Sequence, residues 1–282
     1  MTQPKTERDH RRDIVEVCKR IHTHGWFAST DGNVSIRMAP DRILATPTSV
    51  HKGYGMTEDD VIVVDASGKR IEGTREPSTE MRMHIAAYQQ RADIGAVVHA
   101  HPTNCIAFSL AGISLAQCLL PEIVFTFGSI PTTAYTTPTT DEVPAEVRKW
   151  LGKFDAMILD RHGSLTVGSD VFAAYNRLER MEHVAEITFR ARMLGPIQPL
   201  SCEQITRLQQ VGKELGLRQR EILDSPCQHC NACPSGARSE SRTAVQAVPS
   251  TSQPTSLPAG HDGTDEMVRR VSESVRRSLD RS

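Results

Sequence analysis

The stretch Val97-Val98-His99-Ala100-His101-Pro102 constrains this chain more than any other. Its β-branched and small apolar residues suit a buried strand, and the proline stops it because it cannot donate to a sheet ladder. Side chains at i and i+2 of a strand share a face. His99 and His101 therefore present two imidazoles on one side of a sheet, at the end of a buried strand. That is how a strand offers two nitrogen ligands to one metal ion.

A buried strand needs a core around it. The chain has 282 residues, 38 % of them hydrophobic, enough for one large domain with appendages. A formal net charge of -1 gives no sign of nucleic acid or an anionic membrane as a general partner. No stretch approaches the roughly 20 apolar residues of a spanning helix, and the N-terminal residues lack the apolar run of a signal peptide. A cytoplasmic protein is expected. Seven cysteines, an odd number spread along the chain, do not suggest a secreted disulfide framework. Cys18, Cys105, Cys118 and Cys202 lie in apolar segments and read as buried thiols.

Before the central strand, residues 7 to 24 form an amphipathic helix through Ile14, Val15, Val17, Cys18 and Ile21, with Gly25 as its C-cap. His22 and His24 cannot face one another in a helix and are expected to face solvent in its last turn. The turn Ser29 to Asn33 leads to an alternating strand (Val34, Ile36, Met38). A second short strand from Arg42 runs into the Thr48-Ser49 loop, and residues 61 to 72 read as a hairpin. Pro77-Ser78-Thr79-Glu80 opens a helix whose inner face is Met81, His84, Ile85 and Tyr88. Glu80, in its first turn, could serve only the helix dipole. The helix leads directly into the His99 strand, however, so the two can meet.

After the central strand, a helix is expected from Pro102 to about Ala111, and Ile123 to Phe127 is an apolar run of strand type. Ile130-Pro131 and Tyr135 to Thr139 resemble a strand and its exit loop. A helix covers Val143 to Leu151. Asp155 to Gly163 reads as an apolar strand ending in His162, placed like the first two histidines. Val171 to Arg192 and Glu203 to Leu215 are further helices, and the domain is expected to end at residue 223.

His99, His101 and His162 could supply three neutral imidazoles to zinc, with Glu80 as a fourth ligand or a base. A strand-end histidine can also be a merely hydrogen-bonded polar residue. Gly32-Asn33, Thr48-Ser49 and Ser78-Thr79 offer amides, hydroxyls and a helix N-terminus, groups that bind phosphate without a lysine. Taken singly, each is an ordinary turn or cap.

Thr30-Asp31-Gly32-Asn33-Val34-Ser35, Thr46-Pro47-Thr48, Glu76-Pro77-Ser78-Thr79-Glu80 with Arg82 and His84, Val97-Val98-His99-Ala100-His101 and Arg161-His162-Gly163 together resemble the class II zinc aldolase/adducin family. The resemblance spans about residues 8 to 220. It implies an α/β fold, three-layered α/β/α around a mostly antiparallel sheet, and a homotetramer with active sites between subunits. By that resemblance His99, His101 and His162 are ligands of Zn²⁺. Glu80 is the acid/base that also touches the metal. Gly32, Asn33, Thr48, Ser49, Ser78 and Thr79 hold the substrate phosphate. The family often has glycine at the position of Ser49 and a second serine at that of Thr79.

The implied reaction is reversible cleavage of a deoxyketose 1-phosphate, foremost L-fuculose 1-phosphate, to dihydroxyacetone phosphate and lactaldehyde. Other branches act on rhamnulose phosphate, epimerise ribulose phosphate at carbon 4, or dehydrate methylthioribulose phosphate. The epimerase branch usually has aspartate where Glu80 stands, and the non-catalytic adducin branch lacks the three histidines. The aldolases carry a tyrosine that protonates the aldehyde product. Here Cys118 to Glu122 has none, so Glu122 or a neighbouring subunit would substitute.

Residues 224 to 234 form a separate motif in which Cys227, Cys230 and Cys233 have the C-x-x-C-x-x-C spacing of zinc or iron–sulfur ligands. Redox-sensitive thiols and incidental cysteines are the alternatives. Residues 235 to 262, rich in Ser, Thr, Pro, Ala and Gly, read as a linker. Within residues 263 to 282, Met267, Val268, Val271, Val275 and Leu279 make a short amphipathic helix with no core of its own, a pattern suited to docking on a partner. It resembles the encapsulation peptides of bacterial microcompartments, which implies a shell protein as partner of residues 265 to 279 and a compartment lumen as location. Self-association and a solvated tail are the alternatives.

Overall fold

The computed structural model describes residues 5–218 and 220–223, so the expectations for Cys227, Cys230, Cys233, the linker and the terminal helix lie outside the described residues. Helix α1 (Glu7–Thr23) precedes strands β1 (Asn33–Ala39), β2 (Arg42–Ala45), β3 (Ile62–Val64) and β4 (Arg70–Glu72). Then come α2 (Met81–Gln90), β5 (Ala96–Ala100), α3 (Thr103–Leu110), α4 (Pro121–Thr126) and α5 (Glu142–Leu151). Strands β6 (Ala156–Leu159) and β7 (Gly163–Gly168) and helices α6 (Val171–Leu194) and α7 (Cys202–Glu214) complete the order. The seven strands form one sheet, β4-β3-β2-β1-β5-β7-β6, and every neighbouring pair is antiparallel.

The period of two sorts the strand residues between two helical layers. Val34, Ile36, Val98, Ala156 and Ile158 pack with Ile14, Cys105, Leu178 and Met181, residues of α1, α3 and α6. Ile43, Val97, Leu165, Val167, Met157 and Leu159 pack with Met81, Ile85, Val147 and Leu151, residues of α2 and α5. The expected three-layer α/β/α architecture around an antiparallel sheet is therefore observed. Asn33 lies opposite His99, and Ser35 opposite Val97. These polar residues share the α2 face of the sheet.

Three readings of the strands change. Ile123 to Phe127 is not a strand. Most of it lies in α4, whose first residue is Pro121, a position where proline's fixed φ favours a helix. A run this short and apolar carries no periodicity with which to decide. The segment at Ile130-Pro131 makes only an isolated parallel bridge, Thr132 to Ile158, with Ile158 donating to Pro131 O (2.9 Å) and Thr133 to Ile158 O (2.8 Å). It covers the edge of β6 without extending the sheet. The strand expected from Asp155 to Gly163 is shorter, and it is followed by β7, a short Ser/Thr-containing strand absent from the sequence reading. His162 lies in the turn between β6 and β7, where Arg161 takes φ +57.

Two buried carboxylates fix the helices. Glu182 of α6 accepts from Asn104 N (2.8 Å), Asn104 Nδ2 (2.9 Å) and Cys105 N (3.0 Å), satisfying the start of α3 just beyond His101. Asp155, immediately before β6, is ion-paired with Arg91 (2.6 Å), Arg177 (3.1 Å) and Arg220. Arg220 thereby ties the segment after α7 to the sheet. Cys18, Cys105 and Cys118 are buried thiols as expected, whereas Cys202 is half-buried at the start of α7.

Removing the shared carboxylate strands buried guanidinium charge. Asp155→Ala is expected to lower stability by about 3–5 kcal/mol, read from the urea midpoint. A midpoint equal to that of the parent would show that the three arginines find water instead.

Candidate active site

Three imidazoles converge at one end of the sheet. His99 is the fourth residue of β5, His101 follows that strand's end, and His162 comes from the β6–β7 turn. Ring centroids are 5.0 Å apart for His99 and His101, 4.9 Å for His99 and His162, and 5.4 Å for His101 and His162. One nitrogen from each lies within 4.8 Å of the others. Gly163 makes this closeness possible, because a Cβ there would fall 2.6 Å from Ala100 O and 2.7 Å from the His101 ring.

The surroundings of these rings differ. His99 Nδ1 lies 2.8 Å from the carbonyl oxygen of Ser164 and so must donate to it. Its Nε2 faces His101 Nε2 at 3.2 Å. Burial, then the neighbouring His99 and His162, push His101 down to about 3, so this imidazole is neutral. Buried His162 Nδ1 has no hydrogen-bond partner. Three imidazoles converging on one point, one of them held through its other nitrogen by a carbonyl, are a donor set that suits a divalent cation. The residues fit a metal ion.

Glu80 closes the cluster from the N-terminus of α2. Its Oε1 is 3.0 Å from His162 Nε2 and its Oε2 3.5 Å from His99 Nε2. Burial alone would raise this carboxyl, but the His99 and His162 imidazoles outweigh it and hold the group ionised, well below the usual carboxylate range. Asn33 Nδ2 donates to Oε2 at 2.7 Å.

The polar loops meet beside Glu80. Pro47 and Pro77 form an antiparallel bridge, and Thr48 N donates to Glu76 O (2.9 Å), which lays Thr48-Ser49 along the Ser78-Thr79 segment. Thr48, Ser49 and Thr79 are exposed, with Ser78 half-buried. Ser78 Oγ accepts from Glu80 N (3.2 Å) and from Asn33 Nδ2 (3.4 Å). Ser49 has φ +56, a conformation that glycine favours. Gly32, at φ +70, packs so closely that a Cβ would lie 2.9 Å from His99 O. The structure thus brings together every candidate named for the metal and the phosphate. These loops present hydroxyls and amides, neutral donors of the kind that receive anions.

Lys52 was not legible in the sequence. It is only 2 % exposed, and its Nζ donates to Thr30 O at 2.5 Å, holding the turn before Gly32. Burial lowers its pKa. A lysine in a polar loop reads as solvated, and no periodicity marks this one. His22 also departs from expectation: it is half-buried, its ring edge-on to Tyr54 (4.6 Å) and His51 (5.0 Å), because the loop at Gly53 packs on it. His24 is exposed and stacked on Trp26 (4.5 Å). Glu122 is exposed in the first turn of α4.

Three clustered imidazoles, an ionised carboxylate and a pair of hydroxyl-rich loops are the groups that a metal-dependent lyase site uses. The chain belongs to the Class II Aldolase and Adducin N-terminal domain family, whose model matches residues 12–189, and it is a class II aldolase. It is 32 % identical to the L-fuculose phosphate aldolase of Escherichia coli K12 over 211 residues, covering 74 % of this chain and 97 % of the relative. The L-fuculose-1-phosphate aldolase of Thermus thermophilus superposes with TM-score 0.60 at 27 % identity, over 68 % of this chain and 100 % of that one. YgbL of Klebsiella pneumoniae, for which aldolase, epimerase and decarboxylase activities are named as candidates, superposes with TM-score 0.67 at 27 % identity, over 73 % and 100 %.

His84 and His101 make stability depend on pH. Burial holds each at about 3 in the folded protein against 6.5 ordinarily. Between those values the unfolded chain binds protons that the folded chain refuses, so acid favours unfolding. Stability of the metal-free protein is full above about 6.5 and is expected to fall toward pH 3, by up to about 1.4 kcal/mol per pH unit for each histidine. Urea midpoints measured in chelator at pH 7 and pH 5 check this, and equal midpoints would refute it.

Proposed function

We propose that this aldolase cleaves a deoxyketose 1-phosphate, with L-fuculose 1-phosphate the first candidate, to dihydroxyacetone phosphate and lactaldehyde. The observation that carries the reading is the convergence of His99, His101 and His162 with the Glu80 carboxylate beside a neutral phosphate cradle. In this reading the three histidines hold Zn²⁺ with Glu80 within reach of it. The ion supplies Lewis-acid polarisation of the substrate carbonyl and its neighbouring hydroxyl.

The chain's own groups do the rest. Ser78, Thr79, Thr48, Ser49 and Asn33, with the backbone at Gly32, hold the phosphate and so orient the carbons to be separated. Glu80 is ionised and therefore serves as base in the direction of synthesis, removing a proton from the carbon next to the carbonyl of dihydroxyacetone phosphate. In cleavage it returns that proton to the same carbon. Protonation on the aldehyde side falls to Glu122 or to a group from a neighbouring subunit. The homotetramer implied by family resemblance is supported by the apolar end of α6, where Met193 and Leu194 are 72 % and 91 % exposed.

Zinc analysis with a coupled assay for dihydroxyacetone phosphate tests the reading. Release from L-fuculose 1-phosphate is expected. Glu80→Gln should lower kcat by about 10²- to 10⁴-fold. Ser78→Ala, which loses a bond to a charged group, should chiefly raise KM, by about tenfold or more. A protein that releases none from any deoxyketose phosphate but interconverts pentulose phosphates would be an epimerase instead.

Residues 1–223 are read as the catalytic domain, 224–234 as a cysteine motif, 235–262 as a linker and 263–282 as a targeting helix. The apolar spacing from Met267 to Leu279 supports docking to a microcompartment shell protein, with the enzyme in the cytoplasm or in that compartment's lumen. Deleting residues 250–282 should abolish co-purification with shell proteins while leaving kcat unchanged. Unaltered co-purification would remove the targeting role.

A further inference from the structure

Behind Glu80 runs a line of buried polar side chains that starts at Asn33 of the phosphate cradle and continues through three groups the proposed reaction does not use. Helix α2 supplies His84 and Tyr88, which follow Glu80 at i+4 and i+8 on one helix face. Strand β1 supplies Asn33 and Ser35, at i and i+2 on one sheet face. The two faces meet in register. Asn33 Nδ2 is 2.7 Å from Glu80 Oε2, and Asn33 Oδ1 is 2.5 Å from His84 Nε2. Beyond them, His84 Nδ1 is 2.7 Å from Ser35 Oγ, which is 2.7 Å from the Tyr88 hydroxyl. His84 and Ser35 are fully buried, and Asn33 is 3 % exposed.

The protons in this line can be assigned by elimination. An ionised carboxylate only accepts, so Asn33 must turn its NH₂ toward Glu80. Its carbonyl oxygen then faces His84, and only an N–H can satisfy it, which puts a proton on Nε2. A neutral imidazole has a single N–H, so Nδ1 is an acceptor and receives the Ser35 hydroxyl proton. Ser35 oxygen in turn accepts from Tyr88. Every bond runs in one direction, and reversing any one leaves two like groups in contact somewhere along the line, at the cost of a buried unsatisfied pair.

We infer that His84, backed by Ser35 and Tyr88, is a positioning residue that locks the Asn33 amide with its NH₂ toward Glu80 and so fixes the Glu80 carboxylate for proton transfer. The inference rests on Glu80 being the acid/base of the aldolase reaction. An asparagine amide is nearly symmetric in shape and has no intrinsic preference between its two orientations. His84 removes that ambiguity. With the amide reversed, a carbonyl oxygen would face the carboxylate, displacing it from its place beside His99 and His162.

Two measurements on the full-length, zinc-loaded protein test this. Long-range ¹H–¹⁵N NMR should show His84 as the neutral Nε2–H tautomer at pH 7, and Ser35→Ala should shift it toward a mixture of tautomers. An Nδ1–H tautomer in the parent protein would overturn the assignment. In kinetics, His84→Leu should lower kcat by about 10- to 100-fold, the usual effect of losing a residue that orients a site group, with zinc content unchanged. His84→Gln, which can still donate to Asn33 and accept from Ser35, should recover most of that loss. Equal kcat in the Leu variant and the parent, or equal losses in the Leu and Gln variants, would reduce His84 to a packing residue. If no aldolase activity is found at all but the Nε2–H tautomer is present, the reaction assignment fails while the oriented line stands.

Discussion

One hydrogen bond, from His99 Nδ1 to the backbone carbonyl of Ser164, decides what the end of the sheet can be. It spans the β5–β7 ladder, in which Ala100 pairs with Ser164 and His99 with Leu165. Because a main-chain group is the acceptor, the imidazole is oriented by the register of the sheet and not by a mobile side chain. A slip of one residue would turn His99 to the other face, into the layer packed by α1, α3 and α6. The register in turn depends on the apolar residues that alternate between the two helical layers. Core packing and metal-ligand geometry are therefore one problem in this fold.

The same reasoning explains why a helix contributes the carboxylate. Glu80 immediately precedes α2, and the residues one and two turns further on bind β1 through His84 and Tyr88. Polar contacts in an interior are costly unless complete. Here each is completed by the next, and the last member is the carboxylate at the site. The helix is held to the sheet by apolar packing on Met81, Ile85 and Val97, while its polar stripe sets where along the sheet it sits.

Much of this was legible in the sequence, and the reasons for the remainder are physical. His99 and His101 could be placed because a proline ends an apolar strand beside them, and Glu80 because its helix leads straight into that strand. His162 was recognised at the right end of the molecule for an approximate reason: it sits in a turn, held by Arg161 at positive φ. Strand β7 escaped notice because Gly163 to Gly168 carries serine, threonine and glycine where alternation would need contrast. Segment 123–127 reads as strand because four apolar residues and a threonine have no period, and Pro121 at the helix start is the contrary signal. The partnership of Asn33, Ser35, His84 and Tyr88 needed coordinates. Spacing identifies which residues share a face of one element, but not which faces meet.

The anchoring of Arg220 at Asp155 has a mechanical meaning. The last described residues are held in turn by Leu223 N on Ser129 Oγ (3.0 Å), by Glu221 on Lys153 (3.0 Å) and by Arg220 on the ion cluster at the start of β6, whereas His162 lies past the other end of that strand, roughly 13 Å away for four residues of strand rise. Asp155 also grips Arg91, just after α2, and Arg177 in α6, so a load applied there is shared between the two helical layers. The last described residues are therefore anchored at the end of β6 remote from His162.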